Sequence, residues 1–324
     1  MRLDFKVSAD AAGQRLDKFL RKRLDDMPLS HLYKLVRTKK VRVNGARADI
    51  AQLLSEGDEV VVHVLKATQP PPPKPASAVR QDFGVIYEDE HILVCDKPAG
   101  LAIHPGSGIT GETLVDQARA YLIRQGLETA EGEFKPSPAH RLDRETSGVV
   151  VVAKTRQAMV RLTEMFTAGE AHKTYLALAK GRFQKEQGSV DLRLPEHQQT
   201  FASKQQRGVN MQEALTHWRK LAGGPEATLL EVTIETGRTH QIRRHLEAIG
   251  HPVVGDGKYG DFPFNRTAQR RWGLRRMFLH SARLAMSHPV LRKRLLLEAP
   301  LPKELLEVLP RAGIQWRTSP PGPD

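Results

Sequence analysis

Apolar positions at the start of the chain are spaced as in two helices followed by short strands. The spacing i, i+3, i+4 and i+8 predicts a first helix whose buried face is formed by Leu16, Phe19, Leu20 and Leu24. Ser30 is a candidate N-cap for a second helix. Tight turns at Asn44-Gly45 and Gly57-Asp58 then adjoin two valine-rich runs, Val41–Val43 and Val60–Val62. The pattern predicts a small α/β module.

Beyond residue 80, predicted strands and helices follow one another without regular alternation. The patterns indicate a hairpin, two helices and three further strands, at Phe83–Tyr87 with Ile92–Cys95, at Thr113–Arg124 and Gln157–Ala168, and at Tyr175–Ala179, Leu229–Ile234 and Met277–Leu284. The absence of a glycine-rich phosphate loop argues against a doubly wound nucleotide-binding fold. The predicted class is α+β, with a large mixed, mainly antiparallel sheet and flanking helices.

A proline run separates these two parts of the chain. Pro70–Pro73 and Pro75 have no backbone N–H and favour extended polyproline II, as in a semi-rigid spacer. A ligand for an SH3-type domain is the alternative interpretation. We therefore predict a small domain at 1–68, a linker at 69–79, a larger domain at 80–318 and a disordered tail at 319–324.

Charge and composition narrow the choice of partner. A net charge of +13 and a pI near 9.9 favour a polyanion such as RNA, because each phosphate neutralised by Lys or Arg releases a counterion. An anionic membrane is the weaker alternative, since no basic amphipathic helix stands apart from the folded segments. Cys95 is the only cysteine, which excludes an intramolecular disulfide and a cysteine-rich zinc site. The N-terminus lacks a signal-peptide core and no apolar run reaches about 18 residues, so the cytoplasm is the expected location.

Cations cluster around one predicted helix–strand junction of the first module. They stand between its apolar positions, at Arg21, Lys22, Arg23, Arg37, Lys39, Lys40 and Arg42. In a basic protein such a cluster predicts an RNA-docking face. The alternative is an ordinary solvated charged surface.

The most informative stretch is His140–Gly148, which runs directly into Val149–Val152. Asp143 stands beside an arginine on a short polar loop, just ahead of a strand apolar enough to be buried. A rigid strand with a polar loop at its end commonly presents a reactive group. Asp143 is therefore a candidate catalytic residue, against the alternative of a turn or capping carboxylate.

Two further motifs carry candidate chemistry. Tyr175 shares a predicted strand face with Ala177 and Ala179, small neighbours that leave room for a flat group, although core packing is the alternative. In the second motif, Thr239 is a candidate cap for a helix whose buried side is Ile242, Leu246 and Ile249 and which Gly250 closes.

That predicted helix start also suggests an anion site. Free backbone N–H groups at Arg238 and Thr239 would suit a phosphate. Arg243 falls at the edge of the buried face, where an ordinary surface arginine is the alternative.

Histidines are frequent but poorly spaced for a metal. His240 and His245 are i and i+5, which does not bring two side chains to one helix face, and the sequence has no compact ligand cluster. No metal is therefore expected. Arginines alternate with aromatic residues in a later segment, at Phe264, Arg266, Arg270, Arg271, Trp272, Arg275 and Arg276. Such a segment suits single-stranded RNA, and a solvated basic loop is the equal alternative.

Three motifs in order, HRLDRETSG (140–148), KTYLALAKG (173–181) and GRTHQIRRH (237–245), resemble those of the RluA-type pseudouridine synthases. The resemblance implies that Asp143 is the catalytic nucleophile and that Arg243 pairs with it and keeps it ionised. It implies that Tyr175 stacks on the target base and helps to move a proton, and that Arg141 fills the space left by the flipped base. His251–Gly260 is also shared with the family, without a role that its composition explains.

Residues 13–66 resemble the small RNA-binding domain named after ribosomal protein S-four. The whole chain is thus expected to combine a small N-terminal α/β RNA-binding domain with a pseudouridine synthase catalytic domain.

The implied activity is isomerisation of specific uridines to pseudouridine in large-subunit ribosomal RNA, by a monomer with no membrane partner. An isomerisation consumes nothing, so no cofactor is expected. Two alternatives stay open: a non-catalytic RNA-binding or ribosome-assembly factor, and a synthase of the same family acting on other RNA sites. Asp143, Tyr175 and Arg243 separate enzyme from binder, because a pure binder has no use for a carboxylate where an anionic substrate binds.

Overall fold

The computed structural model of the chain describes residues 2–24, 27, 29–63, 75–106, 109, 111–127, 134–195 and 210–316. The chain divides into two compact units, residues 1–75 and 76–324. Most of the predicted linker at 69–79, and the predicted tail at 319–324, lie outside the described residues. None of the helices described is long and apolar enough to cross a membrane.

The first unit pairs two helices with a four-stranded antiparallel sheet of order β1-β4-β2-β3. Its elements are β1 (Arg2–Lys6), α1 (Leu16–Arg23), α2 (Leu29–Arg37), β2 (Val41–Val43), β3 (Ala46–Arg47) and β4 (Glu59–His63). Leu16, Phe19 and Leu20 are buried in its core, as their spacing predicts. The predicted cap at Ser30 is wrong, because α2 already begins at Leu29 and a cap residue needs a non-helical backbone. Leucine is a good helix former, which favours the earlier start.

The second unit holds the remaining described elements. Its strands are β5 (Gly84–Glu88), β6 (Ile92–Lys97), β7 (Ser137–Pro138), β8 (Ser147–Ala153), β9 (His172–Lys180), β10 (Gln187–Asp191), β11 (Leu194–Pro195), β12 (Met211–Gln212), β13 (Leu215–Gly223), β14 (Ala227–Ile234), β15 (Leu279–Ser287) and β16 (Arg294–Glu298). Its helices are α3 (Leu114–Arg124), α4 (Arg156–Ala168), α5 (Gln241–Ala248), α6 (Phe262–Trp272), α7 (Lys303–Leu306) and α8 (Val308–Arg311).

One large sheet organises this unit. Ten strands join in the order β10-β13-β14-β9-β15-β8-β6-β5, with β16 paired to β15 and β7 to β8. Among the pairings described in this sheet, that of β8 with β15 is parallel and the others are antiparallel. The predicted α+β class with a mixed, mainly antiparallel sheet is confirmed. The predicted hairpin, helices and strands are all present, with ends that differ by a few residues.

The strand β8 is buried along its whole length because the sheet is covered on both faces. Val150 and Val152 pack in the core cluster that contains Tyr175, whereas Val149 and Val151 pack in the cluster that contains Leu162 of α4. Gly148 lies so close to β15 that a Cβ on it would stand 2.1 Å from the Ser281 carbonyl oxygen. The loop before β8 is therefore attached to a closely packed strand.

The arginine–aromatic segment forms a helix, α6, up to Trp272, so the alternative of a solvated loop does not hold for that part. The Asp261 side chain caps it by accepting a hydrogen bond from the Phe264 N–H at 2.9 Å. Trp272 is 2% exposed and Phe264 packs edge-on against it. The Trp272 ring thus fills a core, and stacking of RNA on it is excluded, because an apolar ring gains more from burial than from exposure. Exposed arginines remain at Arg266, Arg270, Arg271 and Arg275.

Candidate active site

Asp143 occupies a turn ahead of β8, where its backbone carbonyl accepts a hydrogen bond from the Thr146 N–H at 3.0 Å. Beside it, the buried Lys97 ammonium donates to three carbonyls, those of Pro98 (2.8 Å), Leu101 (2.9 Å) and Arg144 (3.1 Å). Burial lowers the pKa of Lys97 to about 7. The lysine links the 98–101 segment to the loop of Asp143 by hydrogen bonds, so the loop that carries the carboxylate is held in place.

Arg243 lies between two carboxylates. Its Nη1 donates to Asp143 Oδ2 at 2.8 Å, while Nε and Nη2 donate to the two oxygens of Asp256 at 2.7 and 2.8 Å. Burial opposes its charge, but the two carboxylates together raise the pKa of Arg243 above its ordinary value. The guanidinium is therefore charged and held in one orientation, and its charge favours the ionised form of Asp256.

Asp256 supplies the fixed end of this arrangement and explains the stretch His251–Gly260. Its side chain is fully buried, and Oδ1 also accepts hydrogen bonds from the N–H groups of Lys258 and Tyr259. Burial alone would raise the pKa of Asp256, but the hydrogen bonds and charge of Arg243 with these N–H groups bring it below the usual value. Gly255 shapes the turn, with φ +81° and the Arg276 carbonyl oxygen 2.2 Å from where a Cβ would lie.

Tyr175 forms an apolar wall of the site. It is 6% exposed and packs with Ala177, Ala179 and Leu279 in the core of the sheet. Burial raises the pKa of Tyr175, the charge of Asp143 adds to this, and a hydrogen bond with Ser281 opposes it. The phenol is therefore protonated at neutral pH, and it presents a neutral ring beside the carboxylate.

His240 is a neighbour of Asp143 that the sequence did not single out for this role. Its Nε2 lies 3.7 Å from Asp143 Oδ1, and its Nδ1 is 3.0 Å from the Tyr259 hydroxyl. Burial lowers the pKa of His240 to about 4, so the imidazole is neutral at physiological pH despite the opposing effect of Asp143. The sequence does not indicate the left-handed backbone of His240 (φ 55°), because residues other than glycine and asparagine adopt this conformation only rarely.

These groups line one cavity of about 360 Å³. Besides Asp143, Tyr175, His240 and Arg243, its walls include Arg141, Arg238 and Thr239, together with Thr163, Phe166 and Thr167 of α4. Arg141 and Thr239 are exposed at its edge. The structure thus gathers all six candidate residues of the three motifs around a single opening.

The predicted cap of α5 is wrong. His240, not Thr239, precedes the helix, and no side chain hydrogen-bonds as a cap. The Arg238 N–H is not free either, because Gln241 turns its side-chain oxygen back to it at 3.1 Å. The predicted buried side holds for Ile242 and Leu246, but Ile249 lies beyond the helix and is 38% exposed.

Among the residues that the structure describes, no group of three or more His, Cys, Asp or Glu side chains is arranged to hold a metal ion. The site instead offers one carboxylate fixed by a guanidinium, beside a neutral ring and a neutral imidazole. Such a carboxylate can attack an electron-poor carbon or accept a proton.

In the first unit, the predicted docking residues surround the helix–strand junction. Arg21, Arg37, Lys39 and Arg42 are exposed and Lys40 is half-buried. Arg42 Nη1 donates to the Gly45 carbonyl at 3.1 Å, and Lys39 has a left-handed backbone (φ 61°). This surface remains cationic because α1 and β2 point their apolar residues into the core.

We expect Asp256→Asn to reduce the free energy of unfolding by about 3 kcal/mol at neutral pH, since it removes one member of a buried ion pair. The folded pKa of Asp256 lies below the unfolded value of about 3.9. Its stabilisation is therefore present above pH ~3.9 and lost as the pH falls through the folded pKa. Thermal unfolding from pH 3 to 8 tests this, with the exposed Asp191→Asn as control. A difference from wild type that does not shrink in acid would contradict it.

Comparison with known proteins places the chain in a family. Residues 91–248 match the family model described as RNA pseudouridylate synthase. The chain is 36% identical over 310 residues to ribosomal large subunit pseudouridine synthase C of Vibrio cholerae, and 35% identical over 314 residues to that of Escherichia coli, with 94% of each chain covered in both cases. The solved structure of human RNA pseudouridylate synthase domain containing 4 covers 72% of this chain and 94% of its own, at 27% identity and a TM-score of 0.57.

The chain belongs to the RNA pseudouridylate synthase family, of the RluA type. It is therefore an RNA pseudouridine synthase, an isomerase, and the resemblance inferred from the three motifs is confirmed.

Proposed function

We propose that this enzyme converts specific uridines of large-subunit ribosomal RNA to pseudouridine, with Asp143 as the catalytic nucleophile. The observation that carries the proposal is the Asp143 carboxylate, held at 2.8 Å by an arginine that Asp256 fixes from behind. The names of the curated relatives supply the RNA class. The proposal includes action as a monomer in the cytoplasm.

The chemistry requires the target base to leave its stack and enter the cavity. The bond from N1 of uracil to the sugar breaks, the base turns, and its ring carbon five bonds to the same sugar carbon. Carbon five then loses its proton and N1 gains one, so that the ring ends neutral and the atoms balance. Substrate and product contain the same atoms, so no external group is consumed. Asp143 either attacks the sugar or promotes formation of a glycal, and both routes use the carboxylate that Arg243 holds at 2.8 Å.

The other residues around the cavity bind and position the RNA in this proposal. Tyr175 stacks on the target base, since its buried ring adjoins the carboxylate. Arg141 is exposed at the edge of the cavity, and in this proposal its side chain fills the space that the flipped base vacates. Arg238 and Thr239 contact the RNA backbone through their side chains.

The experiment is modification of unmodified transcripts by the purified enzyme. Large-subunit ribosomal RNA, small-subunit ribosomal RNA and transfer RNA are treated in parallel, and pseudouridines are mapped by carbodiimide-dependent primer extension. We expect new pseudouridines at discrete positions of the large-subunit transcript. Modification of another RNA class alone would assign the enzyme to other sites, and none at all would leave only a binding role.

Deletion of residues 1–68 should weaken binding to long ribosomal RNA while leaving activity on short substrates. The cationic residues Arg21, Arg37, Lys39, Lys40 and Arg42 all lie in the removed unit, and the second unit has its own cores. Each lost phosphate contact should reduce the slope of log K against log salt by roughly 0.7–0.9.

The matched control keeps the module and changes Arg37, Lys39, Lys40 and Arg42 together to glutamine. It should reproduce most of the change in slope without loss of the cooperative thermal transition. A truncated protein with an unchanged slope would show that the module does not dock RNA. A truncated protein that aggregates would show that the two units depend on one another for folding.

A further inference from the structure

Lys173 is a cation on the active-site strand β9, and the residues that the structure describes give it no anionic partner. It lines the same cavity as Asp143, and its Nζ stands 4.7 Å from the centre of the Phe166 ring. Burial lowers the pKa of Lys173, and no described carboxylate offsets that effect. The ammonium therefore contacts an aromatic ring face and faces the cavity, and no carboxylate among the described residues pairs with it.

Three other lysines of this unit have oxygen partners. Lys154 donates to a Glu88 oxygen at 2.9 Å, Lys180 is paired with Asp261, and Lys97 donates to three carbonyls. A half-buried charge without a partner costs free energy. A contact with a ring face offsets only part of that cost, because such contacts contribute about 0.5–2 kcal/mol. An anion bound beside Lys173 would therefore offset the remaining cost of burying its charge.

Lys173 is placed so that one ligand could present an anionic group to its ammonium and also reach Asp143. Lys173 and Tyr175 are two residues apart on β9 and so lie on one face of the strand, separated by roughly 7 Å. Across from the lysine stands Gly237, where even an added Cβ would remain 3.9 Å from Nζ. This glycine leaves the ammonium open towards the cavity mouth, where Arg238 adds a second cation.

We propose that Lys173 binds a phosphate of the substrate RNA adjacent to the flipped target uridine. A lysine acts as a point charge for phosphate, and an unneutralised ammonium favours a full negative charge over a base carbonyl. Lys173 thereby fixes the position of the RNA backbone relative to the uracil that stacks on Tyr175. The inference rests on the proposed function, since RNA is the polyanion that delivers the phosphate.

The first test measures binding of a short RNA stem–loop that contains a mapped target uridine. Binding is measured in an Asp143→Asn background, so that no turnover occurs. We expect Lys173→Met to raise Kd about tenfold, as for loss of one charge-assisted hydrogen bond. Lys173→Arg should keep most of the affinity. With Asp143 intact, KM should rise for Lys173→Met while kcat changes little.

Lys293→Met is the matched control, because Lys293 Nζ lies 5.5 Å from the Tyr87 ring in a similar contact outside the cavity. It should leave Kd unchanged. The melting temperature of Lys173→Met should stay or rise, since an unpaired charge is removed. A fall in melting temperature with unchanged Kd would make Lys173 a packing residue and overturn the proposal.

The second test replaces single phosphates of the stem–loop by uncharged methylphosphonates. In the protein with Lys173, one replacement beside the target uridine should raise Kd about tenfold, and in Lys173→Met that same replacement should have no further effect. Equal penalties at every phosphate in both proteins would overturn the phosphate site while the proposed function stands. A wild-type enzyme that forms no pseudouridine in ribosomal RNA would overturn the proposed function and this inference with it.

Discussion

Asp143→Asn is expected to abolish pseudouridine formation while folding and RNA affinity stay nearly intact. The amide has almost the shape of the carboxylate and can still accept a hydrogen bond from Arg243, but it is not a nucleophile. Single-turnover assays on a mapped ribosomal RNA fragment measure the effect. Residual turnover above about 1% of wild type would remove Asp143 from the nucleophile role, because that loss amounts to only ~2.7 kcal/mol of barrier.

The matched control is Glu145→Gln, which removes one negative charge from the same loop. Glu145 is exposed and lies 3.7 Å from Arg144, away from the Arg243 guanidinium. We expect this variant to retain wild-type turnover. A comparable loss in Glu145→Gln would mean that the charge of the loop, rather than the Asp143 carboxylate itself, supports the reaction.

Arg243→Met is expected to lower kcat by about 100-fold or more, in the range found when one preorganised hydrogen-bond donor is removed from an active site. Without the guanidinium the carboxylate of Asp143 loses the N–H donor that holds it at 2.8 Å and fixes its position. Single-turnover rates at saturating RNA measure the loss. A kcat close to that of wild type would mean that this contact does not position the carboxylate for the reaction.

The same substitution leaves Asp256 buried without its cation, so a loss of stability of about 3–5 kcal/mol is also expected. Rates corrected for the folded fraction, measured by circular dichroism under the assay conditions, separate the two effects, because a smaller folded fraction lowers the rate only in proportion. Arg244→Met serves as control: Arg244 is the next residue on α5, is 3% exposed, and contacts the Pro195 carbonyl instead of Asp143. It should leave the corrected kcat close to that of wild type.

Charge explains why this site belongs in a strongly basic protein. Asp143 and Asp256 share the single guanidinium of Arg243, so the three groups together carry one negative charge. That charge faces a polyanionic substrate and would repel it. The net charge of +13 over the whole chain, with exposed arginines such as Arg141 near the cavity, offsets the repulsion and draws RNA towards the site.

The sequence predicted those parts of the fold that follow from periodicity. The unbroken run Val149–Val152 indicated a strand buried on both faces, and Tyr175 with Ala177 and Ala179 indicated one strand face. Both are confirmed, because each depends on side chains a fixed number of residues apart. The order of the strands in the sheet could not be predicted from these patterns, because the pairing of β8 with β15 joins segments more than 130 residues apart along the chain.

The parts of the site that the sequence missed depend on contacts that local residue preferences do not specify. Asp256 looked like one residue of a glycine-rich loop, yet it fixes Arg243 from behind. Lys97 lies just after the predicted strand Ile92–Cys95 and no pattern distinguished it, yet its ammonium donates to the Arg144 carbonyl in the loop of Asp143. Thr239 matched the preferences for a helix cap, but Gln241 satisfies the nearby N–H group instead. Local preferences cannot reveal which of two chemically adequate partners is closer.

The most direct test of the account is the pseudouridine map of large-subunit ribosomal RNA in a strain that lacks this protein. The strain is complemented with wild type, with Asp143→Asn or with Glu145→Gln, each at the same expression level. The account predicts that discrete pseudouridines disappear in the deletion strain and return with wild type and with Glu145→Gln, but not with Asp143→Asn. Return of these pseudouridines with Asp143→Asn, or a map that the deletion leaves unchanged, would contradict it.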